Sequence, residues 1–500
     1  MAFRNIRCRA RVVPKAALPL VATVGVIYLI DQQARHHGED GDMHSPELRR
    51  HHTAASTTAA CDRYFDDSAA RRQRLYHDVG EASSSTSSTK IQPPGPSSDY
   101  PNFQRHGPHS LIAKHLPPDV YDKLKHKKTR FGVTLDGMIQ AGVALPWGAN
   151  PPRGIGVYAG DAECYKVFSP FLRPILEEYH GSLSHDETDN DGTLTRRNDK
   201  SRPQTSPQSQ AVDRQIRKVR LQRQVTNLNP AMVFPQPIDP TGEYILYTRM
   251  RVSRSLKKYA FPPAISRQQR RQVEKLLAEC VDQDFENGEY RSIMEMSNSE
   301  HNDLIQRHIL FKDPDAYANL AGLGRDWPDG RGLYCDNFES PKTIIWCNDN
   351  DHFRIISMQK GGSLQSVFTN MTRVLGQLES ALAKRGHGFC TDPHLGFLNT
   401  SPTNCGTGLR ASVFVKLVLL GQQPGFDDLL RRMKLEASTR FNENDNRYTG
   451  IFDIANAERL GRSEVELINT MIDGVAKLIQ LEKRLERGEI VDLNEVEASG

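Results

Sequence analysis

The sequence predicts an α+β fold, with a small helical region followed by a larger domain that mixes strands and long helices. Three observations carry this. Runs such as EYILYTRMRVSRSL (243–256), KTIIWC (342–347), FRIISMQ (353–359) and RASVFVKLVLL (410–420) alternate or are continuously apolar, as strands are. ISRQQRRQVEKLLAECV (265–281) and RSEVELINTMIDGVAKLIQLEKRLERG (462–488) carry apolar stripes at helical spacing. The two kinds of element do not alternate regularly, which argues against a parallel βαβ sheet.

Taken in order, the chain opens on a basic stretch. Arg4, Arg7, Arg9, Arg11 and Lys15 precede the first acidic residue, Asp31, and an apolar run follows at 16–30. That run is short for a membrane span, which needs about 20 residues. A basic, acid-free start reads as a mitochondrial presequence, sorted toward the intermembrane space. A secretory signal is the rival reading; the long basic stretch and scattered single cysteines count against it. Residues 31–97, rich in His, Ser, Ala and Arg, hold too little apolar surface to order themselves, so 1–97 reads as presequence and linker. In 98–181, PDVYDKLKHK and VFSPFLRPILEEYH have helical spacing. A polar insert or linker occupies 182–222. The main domain spans 223–490. Its strand at 243–256 points Arg249 and Arg251 to one face, Met250 and Val252 to the other. Ser266 caps the first long helix, whose stripe is Val273, Leu276, Leu277, Cys280 and Val281. Ser463 with Glu466 forms a capping box on the last, and Gly488 ends it. Residues 491–500 form an acidic tail.

Composition narrows the function. At 37% hydrophobic and 25% charged, with a formal net charge of +4, the chain is that of a globular protein with polar tracts and makes no case for nucleic-acid binding. Its eight cysteines form no Cys-x-x-Cys pair, which reads as isolated buried thiols rather than a metal site or disulfide framework. There is no GxxxxGK[ST] loop. What stands out is arginine on strands: Arg249, Arg251, Arg354 and Arg410. Singly, each is an ordinary surface residue. Together they would form a cationic basket for a polyphosphate, since guanidinium forks bind phosphate oxygens in pairs.

GRDWPDGRGLY (324–334), IISMQKGG (355–362), NCGTGLRASV (404–413), GIFDIANAERLG (450–461) and SEVELINTMIDGV (463–475) closely resemble the phosphagen kinases, the creatine and arginine kinases among them. FGVTLDGMIQAGV (131–143) and VYAGDAECYKVF (157–168) resemble their N-terminal domain, and the presequence with PPGPSSDYPNF (93–103) is most like a mitochondrial creatine kinase. The resemblance implies a small helical domain plus an antiparallel sheet flanked by helices. It implies reversible transfer of the γ-phosphoryl of MgATP to a guanidino nitrogen, with Mg2+ arriving as MgATP or MgADP and no metal site in the protein. Arg249, Arg251, Arg354 and Arg410 fall at phosphate-binding arginines, His308 at a histidine near the adenine, and Asp453 at the aspartate closing the nucleotide site. Val143 and Trp346 fall at guanidine-side positions. The loop from Ala144 to Val157 has the length found in creatine kinases, longer than in arginine kinases, which favours a small guanidine.

The departures are as informative. The motif that reads NEEDH in the family is NDNDH (348–352) here, so Asn350 stands at the catalytic glutamate. An amide hydrogen-bonds a guanidinium but cannot neutralise it. Asp349 keeps a carboxylate one position away, on the opposite side if the segment is extended. Ser401 replaces the reactive cysteine, losing a thiolate, and Cys405 is not expected to substitute for it. The mobile-loop arginine aligns with Ser438, with Arg440 two residues on, and a second adenine-side histidine is Phe414. Glu443 lies where arginine kinases place a second carboxylate. Two expectations from different classes follow: a guanidino kinase of reduced rate acting on a creatine-like acceptor, or a catalytically impaired nucleotide-binding or scaffolding relative. The expected partners are ATP or ADP, a small guanidino compound and a second copy in a homodimer. The acidic tail and His387, at the family's octamer-contact tryptophan, argue against octamers and against binding an anionic membrane. A reporter fused to residues 1–60 should enter mitochondria and be processed; secretion or retention in the cytosol would refute the presequence.

Overall fold

The computed structural model describes residues 100–103, 106, 110–144, 155–180, 223–235, 238–438 and 449–496. The presequence and linker, the 182–222 insert, most of the Ala144–Val157 loop, and Arg440 and Glu443 lie outside them. From Asn102 onward the described residues belong to one compact unit.

The described residues open with short helices: α1 (Leu111–His115), α2 (Pro118–Leu124), α3 (Leu135–Ala144), α4 (Cys164–Val167) and α5 (Ser169–His180). Next come β1 (Ile245–Arg254), α6 (Arg267–Asp284), β2 (Glu289–Ser292), α7 (Asn298–Gln306), α8 (Ala316–Leu320), β3 (Gly332–Cys335), β4 (Thr343–Cys347) and β5 (Phe353–Lys360). Then follow α9 (Leu364–Lys384), β6 (Thr391–Asp392), β7 (Gly396–Phe397), β8 (Leu409–Lys416), α10 (Phe426–Arg432), β9 (Leu435–Ser438), β10 (Ile451–Asn456) and α11 (Glu464–Glu486). Eight strands make one sheet in the order β2-β3-β4-β5-β1-β8-β10-β9, every pair antiparallel. A small helical domain and a large sheet domain flanked by helices are the architecture the sequence predicts.

Alternation along the strands gives the sheet two different faces. Met250, Val252, Ile355, Ala411, Val413 and Ile454 point to one side and are buried in the main core with the stripes of α6, α9 and α11. Ser463 makes the predicted capping box with Glu466, and Ser266, predicted as an N-cap, makes a box with Gln269. The opposite face carries an apolar cluster at the β3-β4 end, where Leu333, Ile344, Trp346 and Ile356 pack under Ile309–Phe311. Its centre carries the arginines.

Two local expectations are corrected. The run RASVFVKLVLL is strand only to Lys416, because Glu482 of α11 accepts from the amides of Leu419 and Leu420 and turns the chain. Residues 348–352 are a tight turn between β4 and β5, opened by Asn348 at φ 54, so the alternation that placed Asp349 and Asn350 on opposite sides does not apply. The tail begins packed: Leu493 is buried in the core, and Arg432 donates to the carbonyls of Asn494 and Val496.

The helical domain does not close its own core. Its buried cluster, built on residues such as Leu135, Phe168 and Ile175, includes Phe261, Cys390, Leu398, Cys405 and Leu460 from the sheet domain. His180, at the end of α5, is fully buried and its Nε2 lies 3.1 Å from the carbonyl of Pro402. The helical domain therefore grips the loop that holds Ser401.

Candidate nucleotide and guanidine site

The register brings the predicted arginines together. Arg251 on β1 lies directly opposite Arg410 on β8. On the other flank Arg251 faces Ile356 and Ser253 faces Arg354, so Arg354 is one diagonal step away on the same face. Arg249 completes the group two residues earlier on β1. Crowding is visible in their acidity. Burial, then Arg354, Arg410, Arg249 and Arg459, push Arg251 well below the ordinary guanidinium value. Arg249 is pushed down to about 10 by burial and by Arg410 and Arg354, although Asp453 opposes this. The Nε atoms of Arg249 and Arg354 are buried without a hydrogen-bond partner among the described residues. Guanidinium donors left buried and unsatisfied are a costly arrangement that an anionic ligand would relieve.

Asp349, Trp346, Phe414 and Asp453 adjoin this centre or share its face. Asp349 pairs with Arg354, its Oδ2 2.5 Å from Nη1, so its carboxylate sits on the arginine side. Arg354 also lies 5.9 Å from the ring of Trp346. The indole of Trp346 donates to the carbonyl of Ile309 at 2.6 Å, tying the His308 segment to the sheet; His308 itself takes φ 57 just beyond α7. Phe414 and Asp453 are directly opposite one another on β8 and β10 and share the arginine face. Asp453 accepts from Nη1 of Arg410 and the hydroxyl of Ser438, each at 3.2 Å. Val143 is half-buried at the end of α3, against the helical core.

Asn350 is half-buried in the 348–352 turn. Ser401 caps a 3-10 turn, its hydroxyl 2.8 Å from that of Thr403. Buried Asp351 joins the two loops: one oxygen accepts from the Thr400 amide at 2.9 Å, the other from the Asn404 side chain at 3.3 Å. His352 accepts from the Leu256 amide through Nδ1 and donates from Nε2 to the carbonyl of Ala260, and burial pushes it down to about 4. Gly406 must be glycine: at φ 87, an added Cβ would lie 2.1 Å from the carbonyl oxygen of Arg459. Cys405 is fully buried and its thiol is pushed up to about 12 by burial, so it is no thiolate to replace a cysteine at 401.

Sequence reasoning missed Asp351, Arg459, Glu436 and Tyr179. Arg459 donates to the Thr403 carbonyl and to Asn404 Oδ1, bracing the Ser401 loop from the other side. Asp351 and Arg459 lie inside the quoted motifs NDNDH and GIFDIANAERLG, but no periodicity marks them. Tyr179, on α5, is raised by burial, an effect that Arg459, Arg410 and Arg251 oppose.

Comparison with known proteins gives the same architecture a family. Residues 107–177 match the ATP:guanido phosphotransferase N-terminal domain, and 269–485 match its C-terminal catalytic domain. The M-type creatine kinase of Rattus norvegicus is 36% identical over 402 residues, covering 79% of this chain and 94% of that protein. The testis creatine kinase of Oncorhynchus mykiss is 35% identical over the same span. Among solved structures, a lombricine kinase superposes with a TM-score of 0.64 at 30% identity, covering 79% of this chain and 97% of that one. The duplicated taurocyamine kinase of Schistosoma mansoni, with bound transition-state-analogue components, gives 0.63 at 25% identity, covering 77% of this chain and 48% of that one. The chain belongs to the ATP:guanido phosphotransferase family, the phosphagen kinases.

The buried histidines give a pH prediction. His180 is pushed down to about 4 by burial and by Arg459, against the Pro402 carbonyl. Its folded value lies below the unfolded one, so the unfolded chain binds more protons between them. Its contribution to stability is complete above about pH 6.5 and is lost as pH falls toward about 4. Unfolding free energies from urea titrations between about pH 7.5 and about pH 5 should therefore fall less steeply in His180→Gln, by about 2 kcal/mol over that range. Equal slopes would show that His180 is not held neutral.

Proposed function

We propose that the protein binds MgATP and MgADP and transfers a phosphoryl group to a small, creatine-like guanidine at a rate well below that usual for a phosphagen kinase. The convergence of Arg249, Arg251, Arg354 and Arg410 on one sheet face supports nucleotide binding. Phosphoryl transfer needs positioning and charge neutralisation more than covalent help, and these side chains supply both. The donors in the basket are guanidiniums, which bind phosphate oxygens rather than metal, so Mg2+ is expected to travel on the phosphates. In the family Mg2+ neutralises charge there; here the arginines orient the chain's share of the contacts.

The acceptor side accounts for the low rate. Asn350 offers an amide where a carboxylate would orient and neutralise the guanidine. Ser401 offers a neutral hydroxyl. Of the two carboxylates flanking Asn350, Asp349 is engaged by Arg354 and Asp351 by Thr400 and Asn404. Losing one such electrostatic contact costs about 2–4 kcal/mol, or about 30- to 1000-fold in rate. The same residues support the second reading, a nucleotide-binding or scaffolding relative without turnover. The longer loop between α3 and Val157 favours creatine or glycocyamine, and the basic, acid-free start of the sequence favours mitochondria. A homodimer with little affinity for membranes completes the reading.

A coupled assay with creatine, glycocyamine, taurocyamine and arginine tests it. Turnover should be slow and best on creatine or glycocyamine, and Asn350→Glu combined with Ser401→Cys should raise it at least about tenfold. A full kinase rate in the unmodified protein would overturn the account of Asn350. Absence of turnover in both proteins, with MgADP still bound, would favour the scaffold.

A further inference from the structure

Glu436 stands on β9 on the arginine face, facing Ala455, which in turn faces Ser412 and then Arg249 across the sheet. Its Oε1 lies 3.3 Å from Nε of Arg410 and 3.6 Å from Nη2 of Arg459. Asp453 takes the Nη1 edge of the same Arg410 at 3.2 Å. Two carboxylates thus hold one guanidinium. Burial alone would lower Arg410, yet Asp453 and Glu436 keep it above its ordinary value. Arg251, directly opposite, has no carboxylate within ion-pair distance among the described residues, and its nearest charges are other arginines.

We propose that Glu436 is a built-in competitor for the phosphate basket, engaging Arg410 and Arg459 where a phosphate oxygen would otherwise bind and so lowering affinity for polyphosphates. This rests on the reading that the four arginines bind a nucleotide. A guanidinium fork offers two edges to acceptors, and carboxylates engage both edges of Arg410. A phosphate drawing on Arg410 must displace one of them. Glu436 is the one that yields at lower cost: its side chain is 36% exposed against 13% for Asp453, so it can turn into water. Arg459 keeps its hold on Thr403 and Asn404 when Glu436 leaves. Glu436 is therefore a determinant of nucleotide affinity that acts by occupying an arginine, without touching the reacting atoms.

The test is calorimetric titration of the unmodified protein, Glu436→Gln and Glu436→Asp with MgADP, AMP and adenosine. Glu436→Gln should bind MgADP about three- to tenfold more tightly. The gain should shrink from MgADP to AMP and vanish for adenosine, because it comes from competition between anions; a merely structural role would not scale with ligand charge. Glu436→Asp keeps the charge with a shorter reach and should fall between the two, which preserves the test if the Gln variant folds poorly. Equal or weaker MgADP binding by Glu436→Gln, or a gain that is the same for adenosine, would overturn the proposal while leaving nucleotide binding intact. If the unmodified protein binds no MgADP and Glu436→Gln does, the competitor role stands and the nucleotide reading of the native site falls. If no variant binds, both fall.

Discussion

Four guanidinium groups on three adjacent strands repel one another, and the backbone ladder holds them together. Hydrogen-bonded strands lie about 4.8 Å apart, so Arg251 and Arg410, directly opposite, cannot separate without breaking β1 from β8. Like charges a few Å apart cost on the order of a few kcal/mol per pair at an effective dielectric constant of about 20. The other face of the same strands meets that cost. Met250, Val252, Ile355, Ala411 and Val413 bury their side chains with α9 and α11, and each buried aliphatic side chain contributes about 1.5–3 kcal/mol. The fold uses one face of a sheet to hold an unfavourable charge cluster on the other, a common relation between stability and binding sites.

The loops that bear Asn350 and Ser401 depend on the same arrangement at one remove. Asp351 is buried and pins the 348–352 turn to Thr400 and Asn404, while Arg459 grips Thr403 and Asn404 from the far side. The helical domain adds the His180 contact to Pro402 and the Thr400 carbonyl that accepts from the Ala159 amide. These supports stand around an Asn and a Ser. The loops that bear Asn350 and Ser401 are thus braced from several sides, which supports the proposed reading of a slow enzyme or a binder.

Much of this was legible in the sequence. Alternation along 243–256 placed Arg249 and Arg251 on one face, and the helix caps at Ser266 and Ser463 follow from local chemistry. Arg354 and Arg410 were grouped with them as arginines on strands and by resemblance, but their shared face follows only from register, which long-range pairing sets. The turn at 348–352 was not legible: NDNDH between two strand-like runs reads as extended until Asn348 takes a left-handed conformation, and that reversal moves Asp349 to the side of Arg354. Glu436 was not legible either, because a four-residue edge strand carries little periodic signal. The helical domain's core was hidden for a different reason. Phe261, Leu398 and Cys405 complete it from far along the chain, and no local pattern records such contacts.

The central claim is that the arginine face is a charge cluster kept for an anion at some cost to the fold. Arg251, the most crowded member, tests it most directly. In Arg251→Met the side chain keeps most of its bulk and loses its charge. Thermal melting and MgADP titration on the same preparation should show a melting temperature equal to or above that of the unmodified protein, together with MgADP binding weakened at least about a hundredfold. A clearly lower melting temperature with nucleotide binding unchanged would contradict the account, because Arg251 would then serve the fold rather than the ligand.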